Sequence, residues 1–171
     1  MWKVIAYFAT SLDGFIADPQ GWVSWLDTYN QSTQDYGYKS FYADIDTVIM
    51  WRKTYEAALE MGKGKREFAD KISYVLTSNA NFQDNPQQRI YFSSDIDHIL
   101  WTQQDKTVRV LGWGKLYNDM TQNKQIETYI ITVVPTVLWQ GIPRIHQQHN
   151  FQVQQVQHFE NGVVQYTMTL V

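Results

Sequence analysis

Val108-Arg109-Val110-Leu111-Gly112-Trp113-Gly114-Lys115-Leu116-Tyr117 is the stretch that decides the architecture. A short apolar, β-branched run ends in glycine and passes directly into Lys115 to Asn123, a segment with helix-forming composition. A strand that turns this tightly into a helix leaves the first backbone N–H groups of the helix unpaired, and that makes the turn a ready anion site. The same order recurs at Val48-Ile49-Met50-Trp51-Arg52-Lys53-Thr54-Tyr55-Glu56, with two cations and a hydroxyl at the helix start. Two such turns could hold a pyrophosphate between them.

Working outward, strands are expected at Lys3 to Thr10, Thr47 to Met50, Ile72 to Thr77, Ile90 to Phe92 and Thr128 to Val134. Helices are expected at Gln34 to Ala43, at Thr54 to Glu60 ending at Gly62 and Gly64, and from a Ser94 or Asp95 cap to about Trp101. Ser11 to Gly21 reads as a structured, mobile loop, and Asn79 to Gln88 as a polar loop. Phe151 to Phe159 and Val163 to Leu170 flank Glu160-Asn161-Gly162, a hairpin signal. Alternation of strand and helix predicts an α/β fold with a largely parallel sheet, helices on both faces and a terminal antiparallel ribbon. Ligands in such sheets bind beyond the carboxyl ends of the strands, where both turns and the Ser11–Ala17 loop are expected.

With 171 residues, 44% hydrophobic and 18% charged, the chain has enough apolar surface for one substantial core, so residues 1–171 are read as a single domain. A net charge of -3 without a Lys/Arg block argues against a nucleic-acid partner. The absence of cysteine removes disulfides, thiolate catalysis and cysteine–zinc sites, and fits a cytoplasmic protein. Met1 to Ala9 is interrupted too soon for a secretory segment, and no run approaches the ~20 apolar residues of a membrane span. His98, His146, His149 and His158 show no ligand spacing, so no metal is expected.

Arg52, Lys53 and Thr54 stand where a guanidinium, an ammonium and a hydroxyl can neutralise and orient phosphate, although the same residues also suit a solvated helix start. Thr77 and Ser78 add hydroxyls at another strand end, where turn residues are equally at home. Asp13, in the loop, and Asp35, at a helix start, are the carboxylates best placed for proton chemistry, which requires partial burial to raise their pKa. Helix capping is the plainer role for Asp35. Most of the seven tryptophans and eleven tyrosines fall at core positions. Trp22 and Trp25, just after the loop, are the two that could roof a planar ligand.

Several of these segments together resemble the dihydrofolate reductase-like family, nearest the C-terminal reductase domain of the bifunctional riboflavin biosynthesis protein. Ser11-Leu12-Asp13-Gly14-Phe15-Ile16-Ala17 resembles its opening strand and loop, and Asp46 to Glu56 its phosphate-binding junction. Gly112-x-Gly114-Lys115-Leu116-Tyr117 is similar to its glycine turn, and Ile130 to Ile145 to its penultimate strand and the loop that follows. The resemblance is collinear over nearly the whole chain. It implies a three-layer sandwich, a homodimer, and NADPH-dependent hydride transfer to a small molecule: a pterin-like or pyrimidine-ribityl substrate, as in 5-amino-6-(5-phosphoribosylamino)uracil reductase.

The same resemblance implies residue roles. Gly14 and Ile16, with Asp13, lie near the nicotinamide. Arg52, Lys53 and Thr54 hold the pyrophosphate and adenosine side, with Thr77 and Ser78 near the 2′-phosphate. Gly112, Gly114, Lys115 and Leu116 support the other face of the diphosphate, and Asp35 is the proton-side residue. Trp51, Trp113 and Trp139 stand where the family has glycine. They either reshape the site for another planar ligand or fill it, and the second case is the alternative reading: a non-catalytic binding or structural homologue.

Overall fold

The computed structural model describes residues 3–30, 34–62, 64, 66–112, 115–143 and 148–171. In chain order the strands and helices are β1 (Lys3–Ser11), β2 (Phe15–Ala17), α1 (Asp27–Asn30), α2 (Tyr38–Asp44), β3 (Thr47–Trp51), α3 (Arg52–Met61), β4 (Ile72–Leu76) and β5 (Ile90–Ser93). There follow α4 (Ile96–Thr102), β6 (Thr107–Leu111), α5 (Lys115–Gln122), β7 (Thr128–Val134), β8 (Ile142–Pro143), β9 (Phe151–His158) and β10 (Val164–Leu170). The fold is α/β, with a mixed, mainly parallel sheet, flanking helices and a C-terminal antiparallel hairpin. Among the described residues no helix is long and apolar enough to cross a membrane. The chain forms two compact units, residues 1–5 with 44–112 and residues 6–43 with 113–171.

In the first unit the strand order is β5-β4-β3-β6, followed by the opening residues of β1. The pairs among β3, β4, β5 and β6 are parallel, with Thr47 opposite both Ile72 and Val108, and Ser73 opposite Ile90. Val48, Ile49, Val75, Val108 and Val110 are fully buried, the pattern of parallel strands covered on both faces. Arg109 is the buried cation of β6, its guanidinium 4.9 Å from the centre of the Phe68 ring. Of the two caps expected for α4, Ser94 and Asp95, it is Asp95 that accepts the His98 N–H, at 2.9 Å.

In the second unit the remainder of β1 is followed by β7-β10-β9. Tyr166 of β10 lies opposite Ile131 on one side and Val156 on the other, both antiparallel, and Asn161-Gly162 turns the hairpin as expected. Gln165 ties this unit together: its amide donates to the Thr132 hydroxyl at 2.8 Å, the Tyr36 carbonyl at 3.0 Å and the Tyr7 hydroxyl at 3.2 Å. A buried amide that satisfies several elements at once fixes their mutual placement.

The structure departs from the sequence reading at α2, at α3 and in the loop after β1, and it adds the short helix α1. α2 begins at Tyr38 rather than Gln34, because Tyr36 and Gly37 take left-handed φ values of 52° and 77° and cannot continue a helix. α3 begins at Arg52 rather than Thr54, with Trp51 extended at φ -72°, ψ 152° as its cap residue. Part of the Ser11–Gly21 loop is a strand, β2, which pairs with β8 through Phe15–Pro143 and Ala17–Ile142. Gly141 permits that ribbon by close approach, since a Cβ there would stand 2.2 Å from the Ala17 carbonyl oxygen and 3.0 Å from Phe15 Cβ.

Candidate functional site

In the first unit the end of β6 touches the first turn of α3. β6 ends at Gly112, whose φ of +138° suits glycine, and a Cβ there would lie 3.0 Å from the Thr54 hydroxyl oxygen in the first turn of α3. Arg52, Lys53 and Thr54 are the first three residues of α3, and Trp51 supplies no side-chain cap to its free N–H groups. Arg52 is already engaged: its guanidinium donates to Glu56 at 2.6 Å and stands 5.7 Å from the Phe82 ring centre. Lys53 is exposed.

Trp51 is partly buried, and its indole N–H is shielded from solvent without an acceptor among the described residues. Its extended backbone is one that any residue adopts, so no glycine is required there. Thr77 is buried, and its hydroxyl oxygen accepts the Asn79 N–H at 3.1 Å, which closes the turn after β4, whereas Ser78 is exposed. A cavity of about 20 Å³ lies among Met50, Tyr55, Leu59, Phe68 and Leu111. That volume admits a single water, so it is a packing void and not a nucleotide site.

In the second unit Asp13 is the most heavily bonded carboxylate. It accepts the Ser11 hydroxyl at 2.6 Å, the Leu138 N–H at 3.1 and 3.2 Å, and the Trp139 N–H at 2.8 Å. Desolvation pushes its pKa upward, but the Ser11, Leu138 and Trp139 donors outweigh that and hold it below the ordinary value. Asp35 accepts the Gly37 and Lys39 N–H groups, each at 3.2 Å, and these two bonds also lower its pKa. For both, the sequence analysis required an upward shift for proton transfer. Their surroundings supply the reverse, so Asp13 is a loop clamp and Asp35 a helix cap.

Gly14 faces open space, with no atom within 4 Å of where its Cβ would be, and Ile16 is partly buried within β2. Lys115, at the start of α5, pairs with Asp119 at 2.8 Å, and Leu116 is buried with its side chain in the core. Gly114 and Trp113 lie outside the described residues, as does His146. Trp139 fills no crevice: it is 85% exposed, with a left-handed φ of 63°, the conformation that glycine adopts without strain. Trp22 is 63% exposed, and Trp25 is partly buried, its indole N–H finding no acceptor among the described residues.

Ser11 was missed from sequence, although Ser-x-Asp-Gly is a turn-forming pattern: its hydroxyl donates to Asp13 while its oxygen accepts the Phe15 N–H at 2.9 Å. The amides of Leu138 and Trp139 carried no side-chain signal at all.

No family model matches the chain. It is 34% identical over 153 residues to the "Uncharacterized protein YwjB" of Bacillus subtilis (strain 168), spanning 86% of this chain and 85% of that protein. Among solved structures it is similar to a "Putative riboflavin biosynthesis protein" from Shewanella sp. PV-4, with a TM-score of 0.81, 22% identity and 99% of each chain covered. A diaminohydroxyphosphoribosylaminopyrimidine deaminase/5-amino-6-(5-phosphoribosylamino)uracil reductase from Thermotoga maritima superposes with a TM-score of 0.73 at 14% identity, over 99% of this chain and 56% of that one. Dihydrofolate reductase from Enterococcus faecalis, complexed with NADP(H) and RAB-propyl, gives 0.67 at 15% identity, over 98% and 96%. This chain belongs to the family of Bacillus subtilis YwjB and has the dihydrofolate reductase-like fold.

Proposed function

We propose that the chain is an NADPH-dependent reductase acting on a pterin-like or pyrimidine-ribityl small molecule in the cytoplasm. The observation that carries this reading is the contact between Gly112 and Thr54, where the end of β6 meets the first turn of α3 in a space that a single methyl group would crowd. The residues present suit a dinucleotide phosphate: the first-turn N–H groups of α3 carry no side-chain cap, and Arg52 and Lys53 flank them. When bound, NADPH supplies the hydride. The chain's own part, within the first unit, is to hold and orient: Arg52, Lys53, Thr54 and Gly112 at the phosphates, and Thr77 and Ser78 toward the 2′-phosphate. Neither Asp13 nor Asp35 is assigned a proton, since both are stabilised as anions.

NADPH titration followed by tryptophan fluorescence tests the reading, since Trp51 adjoins Arg52. Saturation in the micromolar range is expected, and Arg52→Ala should weaken binding about tenfold while His158→Ala leaves it unchanged. A signal that stays flat to millimolar NADPH would favour the non-catalytic alternative.

The homodimer is part of the same proposal, and β9 supports it. It ends the strand order of its unit, is exposed along nearly its whole length, and no charged residue interrupts Gln148 to Phe159. Edge strands that stay monomeric usually carry charges or proline. Light scattering should report a dimer that Val156→Lys dissociates.

A further inference from the structure

Trp139 is the most exposed of the large hydrophobic side chains among the described residues. Its backbone, by contrast, is pinned, because its own N–H and that of Leu138 both donate to the Asp13 carboxylate. The indole therefore stands out from a fixed stem. Leu12 and Val137, 64% and 42% exposed, continue an apolar shelf along the same two segments, which the Leu12 N–H joins by donating to the Thr136 carbonyl at 2.8 Å.

The electrostatics select the occupant. An indole face carries the negative side of its quadrupole, which attracts electron-poor or cationic rings. Among the described residues the Asp13 carboxylate is bonded to neutral donors, the Ser11 hydroxyl and two amides, and to no cation. A saturated apolar ligand would use the shelf and ignore the field, whereas a planar, electron-poor nitrogen heterocycle uses both.

We propose that Trp139, held outward by Asp13 as a positioning residue, is a stacking platform that selects an electron-poor planar nitrogen heterocycle as the substrate ring. This rests on the reductase reading, under which the Asp13–Gly14 loop lies beside the reacting rings. Trp139 is then a specificity-determining residue of this chain.

The test titrates the full chain with free pterin and, separately, with NADPH, for the wild type, Trp139→Gly, Trp139→Phe and Asp13→Asn. Trp139→Gly is a safe variant to fold, since the indole is exposed and the backbone there already has a glycine-like φ. It should weaken pterin about tenfold while NADPH affinity stays within about twofold, and Trp139→Phe should restore most of the loss. Asp13→Asn should weaken pterin with Trp139 intact, the effect expected of a residue that acts through Trp139. Pterin binding that survives Trp139→Gly unchanged overturns the proposal, and so does a wild type that binds NADPH but not pterin. A wild type that binds pterin through Trp139 but not NADPH keeps the platform and sinks the reductase reading instead.

Discussion

The Thr54 hydroxyl packs against Gly112 so closely that an added Cβ would stand 3.0 Å from its oxygen and 3.8 Å from its Cβ and Cγ2. Gly112→Ala meets both that contact and a φ of +138°, which L side chains rarely adopt. It should destabilise the chain by about 2 kcal/mol in a urea melt. Thr54→Ala should recover about 1 kcal/mol of that loss, because it removes the contact but leaves the backbone strain. Strict additivity of the two substitutions would show that the turns do not touch.

Arg52 donates to Glu56 at 2.6 Å, and the two side chains are 36% and 46% exposed. An ion pair this open contributes under ~1 kcal/mol, so Glu56→Gln should barely move the melting temperature. The variant frees the guanidinium for phosphate and should tighten NADPH binding about threefold at low ionic strength, with the gain disappearing in high salt. Weaker binding would mean that Glu56 orients Arg52 for its ligand.

The hydrogen bonds at Asp13 hold its folded pKa below the ordinary 3.8 in spite of opposing desolvation. A depressed carboxylate contributes stability above its unfolded pKa and loses it as pH falls through the folded value. Wild-type melting temperature should therefore drop as the medium is acidified below about pH 4, and Asp13→Asn should flatten that slope. An identical acid profile for both proteins would show that the clamp does not favour the charged form. Asp35, whose pKa is lowered by the Gly37 and Lys39 amides, shifts in the same direction and accounts for part of the slope that remains.

Gly141→Ala places a methyl group 2.2 Å from the Ala17 carbonyl oxygen, a backbone atom that cannot swing aside. The β2–β8 ribbon must part, at a cost of about 3 kcal/mol. Hydrogen exchange should register the loss at residues 15–17 while the β3, β4 and β6 amides stay protected. Uniform loss of protection across the chain would instead make the ribbon part of the global folding unit.

The sequence by itself determined the alternation of strand and helix, a cap at Ser94 or Asp95, the Asn161-Gly162 hairpin and the strand-to-helix junction at residues 51–54. Each is a local matter, settled by side-chain shape, backbone preference and apolar spacing within a few residues. It also carried the resemblance to the dihydrofolate reductase-like family, because collinear short motifs survive in order.

Tertiary structure decided what the candidate groups do. Asp13 and Trp139 are 126 residues apart in the chain, yet the amide of one fixes the carboxylate of the other. The Ser11 hydroxyl completes that clamp, and no local pattern shows that two backbone amides from residues 138 and 139 are its other half. Asp35 became a cap because Tyr36 and Gly37 turn left-handed and delay the helix to Tyr38. Trp139 was left in solvent because its backbone, rather than its ring, is what the fold holds. A side chain's pKa and direction are set by whichever distant groups the fold brings to it, and linear spacing does not encode them.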